Sequence, residues 1–253
     1  MTAYSLGTLT GSTPVIKNDF SLSEVDSTDV FKFQSIGTEN INLSLTDISI
    51  GDNADLRLFR DVNSNGILDV TDRISGLVAS SSRSDNFDEA INVKAGAGTY
   101  FAEVFRSTSF GGVTYDLALS ATTPKATGDF SNLLPKEVEV GRVGSDITLT
   151  GAVNDSNTAQ VYSFSLNSFN SVNLRLSGLT NDADIRVIKD SNNNRIVDAG
   201  EEVGRSTNGH TSAETISNIA DPGSYFVQVN QYSGNTNYTL AFDHSRISFT
   251  IPS

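Results

Sequence analysis

Two stretches of the chain place oxygen-bearing side chains at alternate positions of a twelve-residue window. In the first, Asp61, Asn63, Asn65, Ile67, Asp69 and Asp72 stand at positions 1, 3, 5, 7, 9 and 12, with Gly66 at position 6. In the second, Asp190, Asn192, Asn194, Ile196, Asp198 and Glu201 occupy the same positions, with Arg195 at position 6. This is the ligand spacing of an EF-hand calcium loop. Side-chain oxygens at 1, 3 and 5 curl around a large cation, the carbonyl at 7 faces it, and a carboxylate at 12 closes the cage. A hairpin turn is the competing reading, because Asn65-Gly66 alone is a strong turn signal. Recurrence of the full spacing in two diverged stretches favours calcium, about one ion per copy.

The two windows are not equivalent. The first has the glycine that accepts positive φ but ends in Asp72, whose short arm closes a cage poorly. The second ends in the longer Glu201 but needs Arg195 to adopt a left-handed conformation, at roughly 1–2 kcal/mol. Three carboxylates in each window predict the weak-to-moderate affinity of extracellular modules. Asp55, Asp184, Glu89 and Glu214 lie at matched places outside the windows and are candidates to complete the shells, with exposed strand positions as the alternative.

The elements that position these windows are also repeated. Asn53 to Ile74 aligns with Asp182 to Val203 at an offset of 129 residues, and the match extends in both directions. Phe31-Lys32-Phe33 answers Tyr162-Ser163-Phe164, Ile41 to Leu45 answers Val172 to Leu176, Gly98 to Val104 answers Gly223 to Val229, and Val113 to Leu119 answers Thr236 to Phe242. The halves read as copies of one domain, 1–122 and 137–253, joined by a linker at 123–136 that carries Pro124 and Pro135. Within each half, apolar and polar residues alternate with the period of half-buried strands, and no helical stripe of comparable length occurs. About eight short strands per half, bounded by Gly, Asn, Asp and Ser, predict an all-β chain of two tandem jelly-roll-like antiparallel β-sandwich domains. The expected inward set of the first copy is Phe31, Phe33, Ile41, Leu43, Leu45, Leu56, Leu58, Tyr100, Val104, Tyr115, Leu117 and Leu119.

Composition narrows the function. With 17 Lys+Arg against 30 Asp+Glu, the net charge of -13 argues against nucleic acid as a partner. No apolar run is long enough to cross a membrane and no signal peptide is visible, so no membrane insertion is expected. The absence of cysteine removes disulfides, thiolate metal sites and cysteine nucleophiles. The only histidines, His210 and His244, lie in polar stretches of the second half without counterparts in the first. No nucleophile elbow, zinc-protease helix or phosphate loop occurs, so the chain is expected not to be an enzyme. A binding surface is poorly marked. Tryptophan is absent, and Phe101, Phe105, Phe110, Phe226 and Tyr232 form an aromatic strip whose more natural use is packing.

The aromatic strand (Phe31 to Phe33; Tyr162 to Phe164), the Ala-Asp-Leu or Ala-Asp-Ile strand (Asp55-Leu56; Asp184-Ile185), the Gly-[Thr/Ser]-Tyr-Phe strand (Gly98 to Phe101; Gly223 to Phe226) and the final Tyr-x-Leu strand (Tyr115 to Leu117; Tyr238 to Leu240) together resemble the bacterial pre-peptidase C-terminal (PPC) domain. The resemblance covers nearly the whole chain as two tandem copies, and the EF-like loop departs from the plain family pattern. It implies a jelly-roll-like sandwich, non-catalytic, appended to secreted bacterial proteins and similar in fold to the calcium-dependent collagen-binding modules of clostridial collagenases. A calcium-binding accessory module of an extracellular protein is therefore expected. The alternatives are a structural spacer pair within a larger protein and a carbohydrate- or collagen-binding module. The partners implied are calcium and an extracellular polymer or a neighbouring domain of a larger protein.

Overall fold

The structure, a computed structural model of the chain, describes residues 2–107 and 111–247. The chain separates into two compact units, one of Met1–Pro124 with Asp129–Pro135 and one of Lys125–Gly128 with Lys136–Ser253. The stretch expected as a linker is thus divided between the units, and Phe130, Leu133 and Leu134 within it are buried.

The first unit contains β1 (Thr2–Thr8), β2 (Val15–Leu22), β3 (Thr28–Ser35), β4 (Glu39–Thr46), β5 (Ala54–Arg60), helix α1 (Val70–Ser75), β6 (Leu77–Ser81), β7 (Glu89–Ala95), β8 (Gly98–Arg106) and β9 (Val113–Thr122). Its sheets have the orders β1-β3-β8-β5-β6 and β2-β9-β4-β7. The second unit contains β10 (Val138–Arg142), β11 (Ile147–Val153), β12 (Ala159–Leu166), β13 (Asn170–Ser177), β14 (Asp182–Ile188), β15 (Glu202–Ser206), β16 (Glu214–Ile219), β17 (Gly223–Ser233) and β18 (Thr236–Arg246). Its sheets are ordered β10-β12-β17-β14-β15 and β11-β18-β13-β16, strand for strand the order of the first unit. Each unit is a β-sandwich.

The pairing is not wholly antiparallel, as the alternating pattern suggested. β1 runs parallel to β3, and β10 parallel to β12. The cause is connectivity. β2 and β11 lie in the opposite sheet, so the chain crosses the sandwich and returns to the first sheet in its original direction.

Alternation along the strands builds the cores. All twelve residues expected inward in the first unit belong to one buried cluster, completed by Leu9, Leu22, Ile48, Ile91, Val93 and their neighbours. Phe164, Leu174, Leu176, Ile185, Val187, Tyr225, Leu240 and Phe242 serve the second unit in the same way. The Gly-x-Tyr strand has a polar purpose as well. Tyr100 donates its hydroxyl to the Gly96 carbonyl at 2.6 Å, and Tyr225 to that of Asp221 at 2.7 Å, so each buried ring keeps its O–H satisfied while pinning the approach to the strand.

Candidate metal centre

Each twelve-residue window links the second-last strand of its five-stranded sheet to the edge strand. The loop after β5 is tied at its base by Arg60 N–H to the Gly76 carbonyl, and the loop after β14 by Lys189 N–H to the Glu201 carbonyl. Between these ties the two loops share most of their hydrogen bonds. The position-12 carboxylate spans the loop. Asp72 Oδ1 accepts from Val62 N and Oδ2 from Asp69 N, while Glu201 Oε1 accepts from Ser191 N and Oε2 from Asp198 N. Asn63 Oδ1 caps Asn65 N, and Asn65 Oδ1 caps Ile67 N; Asn192 and Asn194 cap Asn194 N and Ile196 N in the same fashion. The amide groups of Asn63 and Asn65 donate to Asp69 Oδ2, and those of Asn192 and Asn194 to Asp198 Oδ2.

Backbone geometry follows the window. Position 6 is left-handed in both loops, with φ of 73° at Gly66 and 62° at Arg195. The arginine pays for this conformation and recovers part of the cost by lying 5.6 Å over the Phe226 ring. Both loops pack on the outer face of the five-stranded sheet. Leu68 forms a small buried cluster there with Val30, Phe59 and Phe101, so Phe101, and likewise Phe226, are buried rather than part of an exposed aromatic strip. Phe105 and Tyr232 are half-buried, and Phe110 lies outside the described residues.

The loops differ at their exits. Asp69 and Asp72 form a reciprocal capping box that starts α1, so the first loop leaves into a helix rather than directly into a strand. In the second loop Gly200, at φ 90°, stands where Thr71 stands in the first, and the chain makes a tight turn from Asp198 to Glu201 instead. Arg73 of α1 reaches the buried Glu103 of β8 at 2.5 Å and so fastens the helix to the sheet. Lys32 Nζ contacts the Gly66 carbonyl at 3.4 Å. The Asp69-x-x-Asp72 spacing is a readable cap signal. The Lys32 and Glu103 contacts depend on strand pairing and have no local signature.

The donor set is all oxygen, as a hard cation requires. Among the described residues, however, no group of three or more acidic or histidine side chains is converged on a metal-sized centre; the carboxylates are turned toward amides. One atom breaks the symmetry. In the first loop both oxygens of Asp61 are occupied, by Asn65 N and Gly66 N. In the second, Asp190 Oδ2 accepts from Arg195 N at 3.2 Å, whereas Oδ1 is buried without a partner. Burial first, and then the Glu201 charge, raise the Asp190 pKa against the opposing pull of nearby amides. Glu201 behaves oppositely. Burial works against its ionisation, but the amides of Asp198 and Ser191 and the Ser191 hydroxyl prevail and hold its pKa low. The Asp69 carboxyl is also held below its ordinary value, led by the Asn63 amide.

Asp55, Glu89, Asp184 and Glu214 do not complete these shells. Asp55 and Asp184 precede the first loop ligands by six residues, about 20 Å along an extended strand. They lie at the other end of their strands from the loops, and Glu89 and Glu214, at the starts of β7 and β16, are fully buried. Glu89 accepts from Arg83 N and the Ser81 hydroxyl, and Glu214 from Asn208 N and the Ser206 hydroxyl. Asp184 is pushed up to about 7, by burial first and then by Asp182 and Glu214, with Arg205 opposing. The histidines stand apart from both loops. The His244 ring meets Asn170 Oδ1 at 2.7 Å, and His210 is exposed while its backbone N–H bonds Asp182.

No curated protein matches the chain. Among solved structures it is similar to the pre-peptidase C-terminal domain of collagenase from Bacillus anthracis, at 22% identity over 47% of this chain and 94% of that one, with a TM-score of 0.33. PliG from Aeromonas hydrophila, a periplasmic inhibitor of g-type lysozyme, aligns at 12% identity over 48% of this chain and 98% of its own, with a TM-score of 0.32. The CUB1-EGF-CUB2 domains of rat MASP-1 align at 10% identity over 95% and 99%, with a TM-score of 0.29. These are loose likenesses. Among the described residues no helix is long and apolar enough to cross a membrane. The family comparison falls on the second unit: residues 158–231, which run from the entry to β12 through the second loop and into β17, match the bacterial pre-peptidase C-terminal domain.

Proposed function

We propose that the chain is a non-catalytic accessory module of an exported bacterial protein, built from two copies of a PPC-like sandwich, each stabilised by one calcium ion in its twelve-residue loop. Asp61, Asn63, Asn65, the Ile67 carbonyl, Asp69 and Asp72 hold the ion in the first unit. Asp190, Asn192, Asn194, the Ile196 carbonyl, Asp198 and Glu201 hold it in the second. The observation that carries this reading is the hydrogen-bond frame the two loops share, with an unsatisfied buried carboxylate oxygen at position 1 of the second. An ordinary turn has no need of a buried carboxylate oxygen without a donor, since such an atom costs roughly 1–3 kcal/mol. The family match over 158–231 supports the accessory role and an extracellular setting.

Millimolar calcium suits such sites. With a dissociation constant on the order of 0.1 mM and about 2 mM free calcium, occupancy contributes roughly 1.8 kcal/mol per unit. The test is amide hydrogen exchange of the full chain in EDTA, in calcium and in magnesium. Calcium should slow exchange across 61–72 and 190–201, Asp61→Ala should cancel the first response alone, and Asp190→Ala the second alone. Unchanged exchange in both loops would return them to the status of ordinary turns.

A further inference from the structure

We propose that the first unit carries a binding cleft for the free C-terminus of a peptide that ends in an apolar residue, with Lys32 holding the carboxylate. The cleft lies on the outer face of β1, β3 and β8, beside the twelve-residue loop. It goes beyond the accessory role proposed above and needs no bound metal.

Strand register builds the floor. Ala3 and Ser5 of β1 pair with Val30 and Lys32 of β3, and Lys32 and Gln34 pair in turn with Phe101 and Thr99 of β8. The loop forms the far wall. Two adjoining chambers result, about 420 Å3 and about 200 Å3 in volume, and Ser5, Lys32 and Gly66 border both. The larger is polar, with Gln34, Ser64, Asn65 and Thr99 around it. The smaller is apolar, with Ala3, Val30, Ile67, Leu68 and Phe101 around it. An apolar cavity of roughly 150 Å3 holds benzene, so the smaller chamber has room for a leucine or phenylalanine side chain.

The second unit shows that the scaffold does not need the cleft. Ser163 stands at the place of Lys32 and Arg195 at that of Gly66, and the Arg195 guanidinium lies 5.6 Å over the ring of Phe226, the counterpart of Phe101. The corresponding cavity, bordered by Ser163, Ser165, Ser224 and Phe226, has a volume of about 160 Å3. Ile67 is 65% exposed at the rim of the apolar chamber, whereas Ile196 is 8% exposed.

Charge selects the ligand. In a chain of 30 acidic against 17 basic residues, the half-buried Lys32 makes no ion pair among the described residues, and its ammonium reaches the Gly66 carbonyl at a long 3.4 Å. Asp61 borders the polar chamber, but both its oxygens are taken by the Asn65 and Gly66 amides. A carboxylate is the acceptor that neutralises such a lysine. With the carboxylate on Lys32, the last side chain enters the apolar chamber and the preceding amide meets the hydroxyl and amide groups of the polar one. A peptide C-terminus is the ligand that uses all three.

The experiment titrates the full chain in EDTA with N-acetyl-leucine, N-acetyl-leucinamide and octanoate and reads backbone amide shifts. Concentrations run to about 10 mM, since a ligand of about a dozen non-hydrogen atoms binds in the millimolar range. N-acetyl-leucine should give saturable shifts at 3–5, 30–34, 66–68 and 99–101, and none at 163–165 or 224–226. N-acetyl-leucinamide, which lacks the charge, should bind about tenfold more weakly. Lys32→Ser, which copies the second unit, should lose the preference for the acid, and Lys32→Arg should keep it. Octanoate probes a lipid source of the same chemistry and should bind more weakly, having no amide for the polar chamber. The proposal is overturned by the absence of saturable shifts in the unmutated chain, by equal binding of acid and amide, by an unchanged preference in Lys32→Ser, or by octanoate binding as tightly as N-acetyl-leucine. Failure of the calcium reading would look different, with exchange at 61–72 indifferent to calcium and these shifts intact.

Discussion

Replacing the position-1 aspartate by asparagine should have different consequences in the two loops, because the same side chain is satisfied in one and not in the other. In Asp61→Asn, a single amide oxygen must serve where two carboxylate oxygens now accept from Asn65 N and Gly66 N, and the new NH2 group faces a backbone N–H. One charge-assisted bond is lost and one donor stranded, a cost of about 2 kcal/mol. At roughly 3–5 °C per kcal/mol for a unit of this size, the transition should fall by about 6–10 °C. In Asp190→Asn, the remaining oxygen keeps the Arg195 N bond, and the substitution removes a buried charge whose second oxygen has no donor. That change should be neutral or stabilising by about 1 kcal/mol. Differential scanning calorimetry of the two full-length variants in EDTA measures the contrast, and hydrogen exchange at β5 and β14 assigns each shift to its unit. Equal losses in the two variants would refute the reasoning, since they would mean that Asp190 is as well bonded without metal as Asp61.

Three other outcomes follow from the same structure. Arg73→Ala should cost the first unit about 2 kcal/mol in urea unfolding, because it leaves Glu103 buried at the α1–β8 contact without its nearest cation, while Arg73→Ala/Glu103→Gln should recover part of the loss; an additive double variant would contradict the pairing. Asp184 binds its proton more tightly folded than unfolded, so its contribution to stability is full below its ordinary value of 3.8 and is lost as pH rises toward about 7; in EDTA, Asp184→Asn should flatten that decline, and an unaltered pH profile would count against the acid cluster. Gly66→Ala forces a side chain into φ 73° and should cost about 1 kcal/mol in chemical denaturation, although Lys32 Nζ at 3.6 Å leaves room for the methyl group.

Legibility of the chain tracked the range of the interactions involved. The inward residues of β3, β4, β5, β8 and β9 could be read from alternation because a strand's two faces are set by its own sequence. The parallel pairing of β1 with β3 could not, since it depends on the sheet that β2 joins. The same limit applies at the loops. The positions of the Asp and Asn side chains are local and visible, and so was the left-handed demand on Arg195. The helix α1 was signalled by Asp69 and Asp72 but hidden by its length of six residues, too short for a periodic stripe. Asp55 and Asp184 read equally as shell candidates or as exposed strand residues, because neither burial nor the reach of an extended strand is visible in their spacing; both are buried, about six residues of strand away from the loops.

The hydrogen-bond frame inside each loop has a consequence for what an ion can accomplish there. The position-12 carboxylate bridges positions 2 and 9, and the asparagines fold the backbone between them. On the proposed reading an ion would fit a frame held by the loop's own hydrogen bonds, in contrast to sensor EF-hands, where occupancy swings helices apart. On that reading calcium would act as a rivet rather than a trigger, lengthening the time each sandwich survives proteases, heat or pulling while leaving its outline the same. A protein assembled from such units would be toughened as it passes from a calcium-poor interior to a calcium-rich exterior, with no moving part to relay the event.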